Sequence, residues 1–480
     1  MNWTSTLIAA VAAVSACAPG AQARDDLERT CLPEGDAAYG LDLEVDSLGD
    51  LHLSRVRRIR GDVVHTIVGP GGALTHEVVF PRASRIGTDE VVDTDLLLID
   101  DVPYICAYDP REPGLRVAGR EPDGTWIPEL VQAGSGAGDF CALTTWRGRL
   151  TVAFHDAGQL QVATRTGDDA WAVQVAHAEE GHDVGVEVAA GVVGDMLVLA
   201  HRDVEARRLK VTYSTAAGGW RTEVIEANDF ATGFRPRVSV RRDGEVWVTH
   251  GLVPQNVPAQ DVAHRNYRNL GSDDGFMLTR GHLPGALTTA AIDDEWVGGT
   301  HGITQLAGGM VLAAARERLR SPLFGDREGL RLYLGLPGDP TWEHLEFQDD
   351  RGRRHTYLRI GARPDPFGWP VVSFTDELEP LPDDPGGAFA CFWRPIDTDL
   401  DRIPDAEEAL RGTDPEDPDT DGDGRPDGQE LLVDHSDPLV DDEPRLDMGV
   451  PDAEPPIPDA APPIPDAAPP IPDAAPPIPD

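Results

Sequence analysis

From Tyr39 to Pro395, apolar and polar residues alternate in short runs punctuated by glycine, and the 3.6-residue period of a helix is nearly absent. The runs recur as a unit. Each unit has an alternating strand, a turn, a second strand ending in a polar or aromatic residue, a third strand and often a Trp that opens a short fourth strand. Aligned on the second strand, the units are Asp50–Arg55, Val102–Asp109, Leu150–Asp156, Met196–His201, Glu245–His250, Met310–Arg316 and Trp369–Phe374. Third strands begin at Leu115, Leu160, Leu209 and Leu330, and Trp126, Trp171, Trp220 and Trp342 open fourth strands. Four short antiparallel strands repeated every ~45–60 residues fit one propeller blade. The pattern therefore predicts an all-β domain over residues 27–395, a β-propeller of seven blades, with six as the alternative count. Blades bury their faces only against neighbours around a channel, so the recurring Trp reads as a packing anchor.

The last unit reaches its third strand at Ala388–Arg394 and has no fourth. The segment Leu27–Leu32 precedes the first unit and can supply that strand. This closure brings Cys31 beside Cys391 and leaves Cys106 and Cys141, in neighbouring units, as a second disulfide. Setting Cys17 aside, four cysteines remain, an even number that fits an oxidising compartment, and none has Cys-x-x-Cys spacing.

After residue 396 the alternation ends and acids take over. Asp419, Asp421, Asp423, Asp427 and Glu430 occupy positions 1, 3, 5, 9 and 12 of a loop with Gly424 at position 6. A hard cation such as Ca2+ takes six to eight oxygens, and this order supplies them: alternating Asp side chains, the carbonyl of Arg425 at position 7 and a Glu at 12. Asp397, Asp399, Asp401, Asp405 and Glu408 repeat the spacing, with Arg402 in place of the glycine. The tandem and its Gly-Thr-Asp-Pro spacer resemble bacterial thrombospondin type 3-like calcium repeats over residues 397–442. The resemblance implies a calcium-stabilised stalk or adaptor over 396–443, with little apolar core. The competing reading is an acidic linker.

The ends set the compartment. Leu7–Ala16 is an apolar run of small residues, too short to span a membrane, in a signal segment over residues 1–23. Two processing sites compete. Val14-Ser-Ala-Cys17 resembles the lipobox of bacterial lipoproteins and implies a lipid on Cys17; Ala21-Gln-Ala23 resembles an ordinary cleavage site. Cys17 is the one route to a membrane that the sequence offers. Within residues 444–480 the unit Pro-Pro-Ile-Pro-Asp-Ala-Ala repeats to Asp480, which favours a disordered, extended polyproline spacer. The net charge is −43, about half of it after residue 396, which excludes nucleic acid as a partner.

The propeller repeat resembles the bacterial sialidase-like and BNR-type superfamily. That family's Ser-x-Asp-x-Gly-x-Thr-Trp box is absent: Asp123-Gly-Thr-Trp126 is one residue short and lacks the Ser. No catalytic acid, arginine triad or tyrosine nucleophile can be placed. His155, His201 and His250 take matching repeat positions, either as a channel-mouth ring or as a position that tolerates His, Tyr or Phe. A segment from Asn266 to Gly285, with Tyr267 and Ser272-Asp-Asp-Gly275, reads as a loop inserted between the fifth and sixth units. Two functions remain. One is an exported, calcium-binding surface protein whose propeller binds a protein or glycan ligand. The other is a secreted hydrolase acting on glycans.

Overall fold

Alternation of apolar and polar residues is what a strand needs when one face packs on the next sheet, and it is realised here in seven sheets of four antiparallel strands. The structure, a computed structural model, describes residues 27–441 apart from 34–40, 58–59, 83–93, 168, 226–229, 255–273, 295–296, 306–310, 322–324, 336–341, 349–353, 363–369 and 379–386. The expected signal segment, Cys17 and the Pro-rich repeats lie outside the described residues. Blade one runs from Asp42 to Phe80, two from Asp95 to Ala133, three from Cys141 to His177 and four from Val184 to Ile225. Blade five runs from Phe230 to Asp293, six from Val297 to Gln348 and seven from Arg354 to Pro395.

The chain is a seven-bladed β-propeller, and each of the seven aligned second strands is the second strand of its sheet. Blade seven takes its outer strand from the N-terminus: Leu27–Cys31 pairs antiparallel with Gly387–Pro395, with Leu27 opposite Pro395 and Cys31 opposite Cys391. Cys31–Cys391 and Cys106–Cys141 are both disulfide-bonded. One apolar cluster spans the closing seam, with Leu43, Leu53 and Val68 of blade one against Val371 and Phe392 of blade seven.

One element differs from the sequence reading. Gly275–Gly281 is the third strand of blade five and pairs with Val246–Pro254. The extra residues therefore lie inside blade five, at 255–273, rather than between blades five and six. The short run Phe276-Met-Leu-Thr directly after a glycine is a strand, and that places the fourth strand at Thr288–Asp293. Tyr267 and Ser272 lie outside the described residues.

Acids staple the blades. On the inner strands Asp42 Oδ2 accepts the Leu96 N–H at 2.9 Å, Asp95 Oδ2 the Leu143 N–H at 2.6 Å and Glu187 Oε2 the Arg235 N–H at 3.1 Å. On the outer strands Glu77 accepts from Arg120 and from the Trp126 indole of the next blade, and Glu129 does the same for Arg165 and Trp171. The anchoring Trp side chains thus pack on the core while their N–H groups reach a neighbouring blade. The ring has two faces. One carries the turns between first and second and between third and fourth strands; the other carries the remaining turns and the crossovers between blades.

Candidate metal centre

The chain leaves the closing strand at Pro395 and enters the acidic loops directly, and both loops fold alike. Thr stands at position 2, Pro at 8, and a short helix begins at position 9: Asp405–Arg411 in the first loop and Asp427–Gln429, continued by one wider turn to Asp434, in the second. Pro preceding the first helical residue fits, because its missing N–H is not needed there.

The carboxylates turn inward by bonding their own loop backbone. At position 1, Asp397 accepts the N–H groups of Leu400 and Arg402 at 2.8 and 3.1 Å, and Asp419 those of Gly422 and Gly424 at 3.0 and 2.9 Å. At position 3, Asp399 and Asp421 accept from Asp401 and Asp423; at position 5, Asp401 and Asp423 accept from Ile403 and Arg425. The position-1 and position-5 acids use both oxygens as acceptors, whereas the acids at positions 3 and 12 each keep one oxygen for the loop interior.

Those four oxygens are buried with no hydrogen-bond partner: Asp399 Oδ2 and Glu408 Oε2 in the first loop, Asp421 Oδ2 and Glu430 Oε2 in the second. They are positions 3 and 12 in both copies. A buried carboxylate oxygen without a donor is costly, so its recurrence at the two matching positions marks a place for a cation. Burial, with repulsion from Asp399 and other neighbouring acids, pushes Glu408 up to about 8, and burial with the same repulsion pushes Asp401 up to about 7. Burial pushes Asp397 up to about 6. A bound cation supplies the charge that these groups lack.

Asp397, Asp399 and Asp401 converge closely enough to share one metal ion, as do Asp419, Asp421 and Asp423, while Asp401, Glu408 and Asp427 form a third group across the two loops. The position-9 acids also hold position 2 of their own loops. Asp405 holds the Thr398 N–H and hydroxyl at 2.8 and 2.7 Å, and Asp427 holds those of Thr420 at 2.9 and 2.6 Å. Asp427 also faces the other loop. The loops are tied at Gly428, whose N–H donates to Asp401 Oδ2 at 2.8 Å. A Cβ there would come 1.8 Å from the Asp401 carbonyl oxygen, so only glycine allows the approach. At position 7 the Arg425 side chain folds back onto Asp423 Oδ2 at 3.0 Å and Glu430 Oε1 at 3.4 Å, and Ile403 takes the matching place in the first loop.

The propeller histidines do not form a ring of ligands. His201 Nε2 meets the Thr212 hydroxyl at 2.9 Å and His250 Nε2 the Thr279 hydroxyl at 3.0 Å, each inside its own sheet. Each Thr continues to a fourth-strand Thr, Thr222 or Thr289. Burial pushes His201 down to about 3 and His250 down to about 4, which keeps both neutral. His155 turns instead to Asp183 Oδ1 at 2.6 Å on the crossover face. Beside it lies a cluster that no motif announced: His182, Asp203 and Glu179 around the ammonium of Lys210, the single lysine of the chain. Residues that meet only through a crossover loop and two strands have no common spacing to read.

No family model matches the chain, and no curated protein matches it. Among solved structures the chain is similar to virginiamycin B lyase from Staphylococcus aureus, at 12% identity over 77% of this chain and 99% of that one, with a TM-score of 0.46. It is similar to the polysaccharide lyase Uly1 at 9% identity over 77% of this chain and 91% of that one, with a TM-score of 0.47. A subtype N11 neuraminidase-like protein of a flat-faced bat isolate from Peru aligns at 8% identity over 77% and 94%, with a TM-score of 0.41.

Proposed function

We propose that this is an exported protein whose propeller binds a surface ligand, protein or glycan, and whose two acidic loops bind Ca2+ and stiffen the link to the C-terminal tail. The observation that carries the calcium reading is the matched set of unpaired buried oxygens at positions 3 and 12 of both loops. All-oxygen donors in flexible loops suit a large hard cation, and the loop order is that of thrombospondin type 3-like repeats. Asp397, Asp399, Asp401 and Glu408 hold one ion, and Asp419, Asp421, Asp423, Glu430 and the Arg425 carbonyl hold the other. The two disulfides fit an oxidising compartment, and no helix among the described residues is long and apolar enough to cross a membrane. A lipid on Cys17 completes the reading; an unmodified N-terminus at Arg24 in mass spectra would replace it with free secretion.

Titration calorimetry of the full chain with calcium tests the site. Two binding events are expected in the wild type and one in the Asp421→Ala/Asp423→Ala variant; equal heats from the two proteins would remove the assignment.

One observation favours the second reading, a secreted hydrolase acting on glycans. Asp42 and Asp95 meet at the seam of blades one and two beside Arg359, and burial followed by repulsion from Asp42 raises Asp95 well above the usual carboxylate range. Both acids also accept inner-strand N–H groups, which is a structural duty. Glycan cleavage that Asp95→Asn abolishes in a folded protein would favour the hydrolase.

A further inference from the structure

Loop positions 4 and 6 have left-handed backbone in both copies. In the second loop φ is +75° at Gly422 and +97° at Gly424; in the first it is +67° at Leu400 and +90° at Arg402. The second loop thus uses the residue that takes this conformation without steric penalty, and the first forces two large side chains into it. Both of those side chains touch the propeller. Leu400 Cδ1 lies 3.1 Å from where a Cβ on Gly71 would stand. The Arg402 guanidinium lies 3.5 Å from Asp50 Oδ2. Asp50 ends the first turn of blade one, which Asp46 Oδ1 shapes by accepting the Leu48 and Asp50 N–H groups at 2.9 and 2.8 Å. A cavity of about 80 Å³ beneath the contact is lined by Val45 and Val68 of blade one, Val371 and Arg394 of blade seven, and Asp397 and Arg402 of the loop. The first loop therefore lies across the seam where the ring closes.

The same carboxylate connects ion and seam. Asp397, at the first ligand position, holds the N–H groups of Leu400 and Arg402, the two residues aimed at blade one. We propose that the first loop is a calcium-dependent latch on the propeller: an ion at Asp397, Asp399, Asp401 and Glu408 fixes the strained backbone that docks Leu400 and Arg402 on blade one, and so stabilises the closed ring. The inference rests on the calcium reading above. It also accounts for Arg402 at a position where a calcium loop ordinarily has glycine. Linkage is reciprocal, so the blade-one contact must tighten the ion by the same factor by which the ion tightens the contact.

The test uses the full chain, calcium alone as the ligand, and two readouts. Calorimetry counts ions. Tryptophan fluorescence follows thermal unfolding of the propeller, because every tryptophan beyond the signal segment lies before residue 394 and none lies in the loops. In the wild type, calcium should raise the propeller melting temperature. Leu400→Gly/Arg402→Gly, which gives the first loop the residues of the second, should still take up two ions while the melting shift disappears. Asp50→Ala, changed on the propeller side only, should weaken one calcium site by roughly fivefold or more. Two bound ions in the wild type with no melting shift would overturn the latch, as would a full shift in the double-glycine variant. Absence of calcium heat in the wild type would instead overturn the calcium reading itself.

Discussion

Arg425 and Ile403 stand at the same loop position with opposite consequences for a cation. Ile403 is buried and offers only its backbone, whereas the Arg425 guanidinium sits on Asp423 and Glu430 as an internal counter-charge. An ion entering the second loop must displace it. Arg425→Ala should therefore tighten the second site several-fold in calcium titrations; an unchanged or weaker affinity would show that the guanidinium does not compete. The grouping of the acids was legible in the sequence, because spacing fixes which backbone positions face inward. The Arg425 side chain was not legible, since a rotamer depends on what surrounds it. At the blade one–two seam, the hydrogen bond from Arg120 holds Glu77 down to about 2, and burial pushes the adjacent His65 down to about 3. In both groups the folded pKa lies below the unfolded one, so the unfolded chain binds more protons and stability falls as pH falls. The loss should begin near 6.5 through His65 and continue from about 4.5 through Glu77. Glu77→Gln should cost about 2 kcal/mol at pH 7 after solvent screening and flatten the dependence below pH 4.5, as denaturant unfolding across pH would reveal. A parallel pH profile for variant and wild type would contradict the assignment.

Among elements, the closing strand decides how the ring holds together. Leu27–Cys31 was legible because the last unit lacked a fourth strand and because Cys31 and Cys391 bracket the repeat. The second strands were legible throughout, since buried, alternating runs of similar length recur between turns. The third strand of blade five was not, because the added residues at 255–273 separate it from its hairpin partner and break the local period. The interblade acids were equally hidden: Glu77, Glu129, Asp42 and Asp95 lie at ordinary polar positions of their strands, and only ring geometry brings them to a neighbour. The closing disulfide spans 360 residues, so it removes much chain entropy from the unfolded state. Cys31→Ser should lower stability by about 4–5 kcal/mol or more, while far-UV circular dichroism stays unchanged because the strand pairing remains. Peptide mapping that joined Cys31 to Cys106 would contradict this closure.

For the whole molecule, the two faces of the ring carry different duties. The acidic loops dock on the turn face at the seam of blades seven and one. The crossover face keeps His155, His182 and Lys210 among their carboxylates. In this arrangement the acidic loops occupy one face, and the ligand proposed above would meet the other. Each acidic loop is proposed to hold one calcium ion. Native mass spectrometry of the full chain, equilibrated with calcium and desalted, counts them directly. The account predicts two ions on the wild type and one on Asp421→Ala/Asp423→Ala; a wild type that retains none would contradict it.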